Sequence, residues 1–233
     1  MVIDNAINKD VGNRLFDELL DAGVNNSHLL SANSTILVDK HGTQTLLPKQ
    51  GIAEFDLSFQ NIATHLPSLN SFATDMGLAH TLQPFIFPNN DRYFEGQRVK
   101  AQINFGEGAC FPMHFDTDSD LDLRTLTAIF YLNKDYNPVH GGALRLYPFP
   151  RAHIDIEPHF CRLVLFSSPW LLHRVLPSYT PRFSYYIYIY IYIYIYIYIY
   201  IYYLCMHIYK FFIIYFQYNF MHIYVADFAL QYG

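Results

Sequence analysis

The segment Arg124-Thr-Leu-Thr-Ala-Ile-Phe-Tyr-Leu-Asn133 decides the fold class, because it carries a strong β-strand pattern. It is rich in β-branched and aromatic residues, which suit the pleated surface of a sheet. Successive side chains of a strand point to opposite faces. One face therefore carries Leu126, Ala128, Phe130 and Leu132, and the other carries Thr127, Ile129 and Tyr131.

Shorter segments of the same kind lie on both sides of this strand, and glycine and proline pairs separate them. They are Val99–Phe105, Cys110–Asp116, Ala143–Tyr147, Arg162–Phe166 and His173–Leu176. Many short strands with turn signals between them predict a sandwich or a barrel. We expect a mainly β fold with supporting helices, in the form of a double-stranded β-helix (jelly roll) with a site in its open mouth.

The N-terminal part of the chain predicts helical and hairpin support for this roll. Residues 9–23 form an amphipathic helical pattern, and Thr35–Val38 with Thr45–Leu47 suggest a hairpin. Residues 53–78 have a helical pattern that is interrupted near Pro67. We expect these helices to pack on the outside of the larger sheet.

The tripeptide His114-Phe115-Asp116, together with His173, is the main candidate for a metal site. Residues i and i+2 of a strand project to the same side, so one backbone segment supplies two adjacent ligands and a distant histidine supplies the third. Two histidines and one carboxylate with open positions is the arrangement of non-haem Fe(II) oxygenases. A second copy, His153-Ile154-Asp155, has only His207 as a partner at comparable spacing, and no arginine follows.

From roughly Lys100 to Ser184, the chain resembles the 2-oxoglutarate and Fe(II)-dependent dioxygenases, and within them the prolyl 4-hydroxylases and the hypoxia-type prolyl hydroxylases. The motifs are specific when they are taken jointly and in this order. They are His114–Asp116, Leu126–Asn133, Gly141–Leu146, Arg162–Phe166, His173–Pro177 and Arg182–Ser184.

The resemblance implies a role for individual residues. His114, Asp116 and His173 would ligate Fe(II), Arg182 would pair with the distal carboxylate of 2-oxoglutarate, and Tyr131 and Ser184 would be its hydroxyl partners. The chemistry agrees, because a guanidinium presents a planar fork that matches a carboxylate and stays charged at any relevant pH. The implied reaction is the O₂-dependent hydroxylation of a C–H bond with release of succinate and CO₂, and ascorbate is expected as the reductant. A prolyl side chain of a protein is the first expectation for the substrate, with a small molecule as the alternative.

The sequence departs from the family pattern at two places near the expected co-substrate pocket. Hypoxia-type members carry tyrosines on the strand that leads to the metal tripeptide, where this chain has Asn104 and Phe111. Their last strand continues past the arginine with a small or hydroxyl residue and then Trp. Here the corresponding stretch is Tyr185-Tyr186-Ile187-Tyr188.

From Tyr186 to Tyr202 the chain alternates Ile and Tyr without a break. This pattern is that of an extreme strand former. The uncharged segment from Phe183 to Met206 is long enough to span a membrane. Its many tyrosines argue against a span, because tyrosine prefers the interface to the hydrocarbon centre. Our preferred interpretation is a translated (TA)n repeat, from a retained intron or a mis-joined gene model that begins just after Ser184. The first few Tyr-Ile residues could complete the last strand by accident, since their alternation suits it.

These patterns divide the chain into an N-terminal support region (1–92), a dioxygenase core (93–184) and a low-complexity tail (185–233). The net charge of −5 and the lack of a basic run give no indication of nucleic-acid binding. Three cysteines (Cys110, Cys161 and Cys205) form no disulfide framework, and the first residues show no signal-peptide pattern. We therefore expect a cytoplasmic or nuclear protein that acts on a protein or a small molecule.

Two other functions stay open at this point. One is a cupin-like metalloenzyme that does not use 2-oxoglutarate. The other is a catalytically impaired or non-productive product that acts at most as a binding module, which the unusual tail favours.

Overall fold

The computed structural model describes residues 1–38, 40–89, 93–117 and 124–192. The strands are β1 Val2–Ile3, β2 Ser31–Val38, β3 Gln44–Asp56, β4 Tyr93–Asn104, β5 Ala109–His114, β6 Arg124–Tyr131, β7 Leu144–Leu146, β8 Ile154–Ile156, β9 Leu163–Ser167, β10 His173–Ser178 and β11 Arg182–Tyr192. The α-helices are α1 Lys9–Asn25, α2 Gln60–Ala63, α3 Pro67–Thr74 and α4 Gly77–Ile86. Residues 1–191 form one compact unit. His207, Cys205 and the rest of the predicted tail after Tyr192 lie outside the described residues.

The strands form two antiparallel sheets, which confirms the predicted jelly roll. The larger sheet has the order β1-β9-β6-β11-β4-β3-β2, and the smaller has the order β5-β10-β7-β8. The alternation predicted for β6 is also confirmed. Ala128, Phe130 and the following Leu132 pack in one hydrophobic cluster, while Ile129 and Tyr131 pack in the other. The larger sheet therefore has a core on each of its faces.

The outer core lies between the larger sheet and the helices, as the sequence predicts. Leu15 and Leu19 of α1, Leu69 of α3 and Leu82 of α4 are buried in the same cluster as Phe130. The helix predicted at residues 9–23 is observed at Lys9–Asn25, where the side chain of Asn8 caps the first turn by accepting from the backbone N–H of Asp10 at 2.7 Å. The helices therefore brace the sheet from outside and leave the space between the two sheets free for a site.

The helical prediction for residues 53–78 is partly wrong, whereas the predicted hairpin is confirmed by the pairing of Thr35 with Leu47. Strand β3 continues to Asp56 because Ala53 and Phe55 pair with β4. The helical region then breaks into α2, α3 and α4 and extends to Ile86. The apolar spacing of residues 53–56 fits both kinds of element, and pairing with a distant strand decides between them.

The last strand, β11, lies between β6 and β4 in the larger sheet and runs through the first Ile-Tyr repeats to Tyr192. Tyr185 and Ile187 are buried in the outer core, and the Tyr185 hydroxyl donates to the backbone oxygen of Leu69 at 2.9 Å. The first residues of the repeat therefore complete a central strand, which their alternation allows. Among the described residues, no helix is both long and apolar enough to cross a membrane.

We expect Ile187→Ala to reduce the free energy of unfolding by about 2–5 kcal/mol, because it leaves a cavity where a fully buried side chain packs against the helices. Ile154, which is half-exposed on β8, provides the matched control: Ile154→Ala should change stability by about 0.5 kcal/mol or less. Urea unfolding followed by circular dichroism measures both. Equal effects of the two substitutions would show that the repeat is not part of the folded core.

Candidate metal centre

The pairing of β5 with β10 brings the two candidate histidines together. His114 is the last residue of β5 and His173 is the first of β10, and they are direct partners across the two strands. Their ring centroids are 4.4 Å apart. His173 is buried and also packs against the ring of Phe166, at 4.7 Å between centroids.

Asp116 completes the cluster from the loop that follows β5. Its backbone N–H donates to the backbone oxygen of Ser168 at 3.2 Å, which fixes the loop beside the end of β9. Its Oδ1 lies 3.6 Å from Nε2 of His114 and 3.6 Å from Nε2 of His173. One ligand atom from each of the three residues lies within 4.8 Å of the others. The structure thus brings together all three residues that the sequence predicts for the metal.

Both imidazoles are oriented by backbone carbonyl groups. Nδ1 of His114 lies 2.7 Å from the oxygen of Pro112, and Nδ1 of His173 lies 3.0 Å from the oxygen of Leu171. A carbonyl oxygen only accepts, so Nδ1 must carry the proton in each ring. The lone pair of each Nε2 then remains available on the side where the three ligand atoms meet, which is the usual arrangement of metal-binding histidines.

Two buried hydroxyls hold the Asp116 carboxylate. Thr127 Oγ1 donates to Oδ2 at 2.5 Å, and Thr127 is in turn hydrogen-bonded to Ser168 Oγ at 2.8 Å. Burial alone would raise the pKa of Asp116, but His114, His173 and Thr127 stabilise the charged form and lower it far below the usual range. The carboxylate therefore stays ionised. The sequence does not reveal this role of Thr127 and Ser168, because buried hydroxyls on strands are common.

This donor set fits a divalent transition metal. It offers two imidazole nitrogens with free lone pairs and one ionised carboxylate oxygen within bonding reach of a common point, which is the facial arrangement that suits Fe(II). The second tripeptide does not resemble this cluster. Arg145 donates to both carboxylate oxygens of Asp155 at 2.7 Å, so that aspartate forms an ion pair between β7 and β8.

Arg182, Tyr131 and Ser184 lie together where β6 pairs with β11, and all three are buried. Arg182 Nη1 donates to Ser184 Oγ at 3.3 Å, and its Cζ lies 5.0 Å from the centre of the Tyr131 ring. Within the described residues, Nε and Nη2 of Arg182 and the Tyr131 hydroxyl have no hydrogen-bond partner. Burial raises the pKa of Tyr131 to about 12 despite the opposing charge of Arg182. A buried guanidinium with unpaired N–H groups is suited to a carboxylate ligand.

A cavity of about 540 Å³ opens beside the three candidate ligands. Its wall includes Lys49, Phe111, Tyr186 and Tyr188. The amine of Lys49 lies 4.2 Å from the centre of the Phe111 ring, and burial lowers its pKa to about 8. No sequence pattern singles out Lys49, because a lysine on a strand is usually a solvated side chain.

Asn104, at the end of β4, and Phe111, on β5, depart from the family pattern but have clear structural roles. The side chain of Asn104 accepts from the backbone N–H of Gly106 at 2.9 Å and donates to the oxygen of Ala109 at 3.1 Å. It therefore fixes the turn between β4 and β5. Phe111 packs in the hydrophobic cluster between the two sheets.

Known proteins resemble this chain in the same region. Residues 100–190 match the 2OG-Fe(II) oxygenase superfamily. Prolyl hydroxylase EGLN3 of Homo sapiens is 38% identical over 98 residues, which is 40% of this chain and 41% of that protein. Egl nine homolog 1 of Homo sapiens is 40% identical over 92 residues, which is 37% of this chain and 21% of that protein. The chain thus spans well under half the length of these curated relatives.

Solved structures extend the similarity of the fold to most of the chain. A prolyl 4-hydroxylase from Phytophthora capsici has a TM-score of 0.67 and 29% identity, and the match covers 82% of this chain and 58% of that one. A prolyl hydroxylase from Trichoplax adhaerens, solved with a peptide fragment of a hypoxia inducible factor, has a TM-score of 0.65 and 20% identity, with 82% of each chain covered. The predicted resemblance is thereby confirmed: the segment that carries the metal centre matches the 2OG-Fe(II) oxygenase superfamily and is similar in sequence to prolyl hydroxylases.

Proposed function

We propose that this chain hydroxylates a C–H bond in a reaction that consumes 2-oxoglutarate and O₂, and that a prolyl side chain of a protein is its substrate. The observation that carries the proposal is the convergence of His114, Asp116 and His173 within 4.8 Å at one end of the roll. When bound, Fe(II) supplies the activation of O₂, which the side chains of a protein cannot provide. Hydroxylation of the substrate would accompany the conversion of 2-oxoglutarate to succinate and CO₂, with ascorbate as the reductant.

The residues around the metal centre have defined tasks in this proposal. His114 and His173 present Nε2 because Pro112 and Leu171 hold the opposite ring nitrogens. Thr127 keeps Asp116 ionised and oriented by donating to the carboxylate oxygen that faces away from the histidines. Three protein ligands leave other coordination positions for the co-substrate and O₂.

Arg182 is the proposed partner of the distal carboxylate of 2-oxoglutarate. It is 2% exposed, and two of its nitrogens are unpaired within the described residues. An unpaired buried guanidinium costs stability, and a carboxylate that forms two charge-assisted hydrogen bonds relieves that cost. Tyr131 and Ser184 stand beside it as hydroxyl partners. A cupin-like enzyme that does not use 2-oxoglutarate would have no task for this buried charge.

The proposed protein substrate is supported by the rim of the cavity and by the relatives. Met113 and Phe115 flank His114, line the cavity and are about half exposed. Trp170, in the loop before His173, is also exposed. Exposed apolar and aromatic side chains beside a cavity suit a pyrrolidine ring carried on a polypeptide. The relatives with sequence identity near 40% are named as prolyl hydroxylases or as Egl nine homologues.

The metal site predicts that Asp116→Ala will weaken the binding of Mn(II) or Fe(II) at least roughly 100-fold, since even changes outside the ligand sphere can have effects of that size. Asp155→Ala, in the second tripeptide, is the matched control and should leave metal affinity unchanged, because Asp155 pairs with Arg145. Isothermal titration calorimetry under anaerobic conditions measures both. Metal binding that survives in Asp116→Ala would refute the assignment.

Removal of the buried guanidinium should selectively weaken the binding of 2-oxoglutarate. We expect Arg182→Ala to raise the 2-oxoglutarate concentration for half-maximal succinate formation roughly 30-fold or more, because truncating one partner of a buried charge pair costs about 2 kcal/mol or more. Arg151→Ala, at an exposed arginine, should have no effect. Unchanged dependence on 2-oxoglutarate in Arg182→Ala would favour the cupin-like alternative. No succinate from the native chain with Fe(II), O₂ and ascorbate would contradict the proposed reaction.

The pH dependence of the cavity follows from Lys49. Burial disfavours its charged form and places its pKa at about 8, so the cavity loses one positive charge as the pH rises from 7 to 9. We expect the rate of acylation of Lys49, followed by mass spectrometry of the modified peptide, to rise with a midpoint near pH 8. A midpoint near the ordinary lysine value of about 10.4 would show that the amine is fully solvated.

A further inference from the structure

The inner face of β11 carries a row of side chains that ends at Arg182. Alternation along the strand places Arg182, Ser184, Tyr186 and Tyr188 on one face. Tyr186 is buried in the cluster between the two sheets, together with Tyr131. Tyr185 and Ile187, on the other face, pack against the helices. The inner row therefore lies in the space that a ligand of the metal centre would use.

The order of this row relative to the metal centre follows from the pairing of β11 with β6. Tyr188 is opposite Thr127, and Thr127 donates to the carboxylate of Asp116. Ser184 is opposite Tyr131, at the Arg182 end. Tyr186, opposite Ile129, lies between these two positions. Along the inner face of β11, Tyr186 thus lies between the position beside the metal centre and the Arg182 end.

The aromatic rings in this space form a continuous stack. The guanidinium of Arg124 lies over the Tyr188 ring, with 3.8 Å from Cζ to the centroid, and Arg124 Nη1 donates to the backbone oxygen of Asp116 at 3.1 Å. The Tyr188 and Tyr186 rings are stacked with centroids 6.1 Å apart and an interplanar angle of 27°. The stack thus leads from the metal-ligand loop to the middle of β11.

The cavities agree with this arrangement. Tyr186 and Tyr188 are part of the wall of the cavity that contains His114, Asp116 and His173. Arg182 is not among the described residues that line this cavity, and it contributes instead to a separate one of about 230 Å³, beside Tyr136 and His140. The metal side of the interior therefore ends at Tyr186, and the guanidinium lies behind it.

We propose that Tyr186 determines whether 2-oxoglutarate can enter: its ring occupies the space between the metal centre and Arg182, and the co-substrate binds only when the ring is displaced. This inference rests on the proposed function, because it takes Arg182 as the partner of the distal carboxylate. It assigns to the first residues of the Ile-Tyr repeat an effect on ligand affinity that is separate from their role in the fold. Tyr186 thereby determines the affinity for the co-substrate. The affinity for the metal depends on other residues, namely His114, Asp116 and His173.

The test is the binding of 2-oxoglutarate to the full-length chain loaded with Mn(II), measured by isothermal titration calorimetry. Tyr186→Thr should lower the dissociation constant at least tenfold, because it removes the ring and leaves Arg182 in place. Tyr190→Thr is the matched control, since Tyr190 lies on the same strand, is half-buried and is not part of the wall of the metal cavity. It should leave the affinity unchanged.

A second pair of variants tests whether the gain in 2-oxoglutarate affinity depends on Arg182. Adding Arg182→Ala to Tyr186→Thr should abolish the gained affinity, because the distal carboxylate loses its partner. Tyr186→Phe keeps the ring and should bind 2-oxoglutarate as weakly as the native chain. If Tyr186→Thr does not fold, as judged by its thermal unfolding, Tyr186→Leu provides a smaller apolar side chain for the same comparison.

Pyruvate, a 2-oxo acid without a distal carboxylate, separates this inference from the proposed function. Its affinity should be equal in the native chain and in Tyr186→Thr, because it does not reach Arg182. Unchanged 2-oxoglutarate affinity in every variant that removes the ring, with normal Mn(II) binding, would overturn the inference about Tyr186. Tight binding in Tyr186→Thr with no succinate formed in the presence of Fe(II) and O₂ would support the inference and contradict the proposed reaction.

Discussion

The pairing of β5 with β10 is the constraint on which the metal centre depends. Residues directly opposite each other in an antiparallel pair have Cβ atoms roughly 5 Å apart and project to the same face. His114 and His173 are such partners, so the distance between their rings is fixed by backbone hydrogen bonds. Strand β7 holds β10 from its other side, where His173 is also opposite Leu146. A shift of this register by one residue would turn one imidazole to the opposite face and destroy the site.

Asp116 connects this smaller sheet to the larger one. Its carboxylate accepts from Thr127 on β6, and its backbone N–H donates to Ser168 at the end of β9. A buried carboxylate is costly unless it is paired and hydrogen-bonded. Thr127 on the larger sheet donates the hydrogen bond, and the two histidines of the smaller sheet lie 3.6 Å from the other carboxylate oxygen, so the site forms only when the two sheets are correctly placed. The helices that brace the larger sheet therefore contribute to the geometry of the metal centre without touching it.

The sequence predicts the ligands better than it predicts their surroundings. The spacing of His114 and Asp116 and the distant His173 identify the ligands, because a metal requires particular residue types at particular spacings. The observed strand itself ends at His114, and Asp116 lies in the loop that follows. Thr127 and Lys49 have no such signature: their roles arise from burial beside Asp116 and Phe111, which only the packing reveals. The helical prediction for residues 53–56 is wrong for a related reason. Their periodicity is ambiguous, and the pairing with β4 that decides the matter involves residues far away in the chain.

In the Ile-Tyr repeat, the two faces of one strand place different requirements on their side chains. On the outer face of β11, Ile187 only needs to be apolar and of adequate volume, since cores accept many combinations of hydrophobic side chains. Tyr185 also satisfies its hydroxyl by donating to Leu69. On the inner face, the strand borders a space that must hold a ligand, and there the volume of each side chain matters as much as its polarity. A repeat that satisfies the sheet can therefore complete the fold, as β11 does through Tyr192, and at the same time place two aromatic rings in the wall of the cavity beside the metal centre. In our proposal, fold and ligand binding are therefore separable in this chain, because hydrophobic alternation is sufficient for the strand whereas the co-substrate requires empty space.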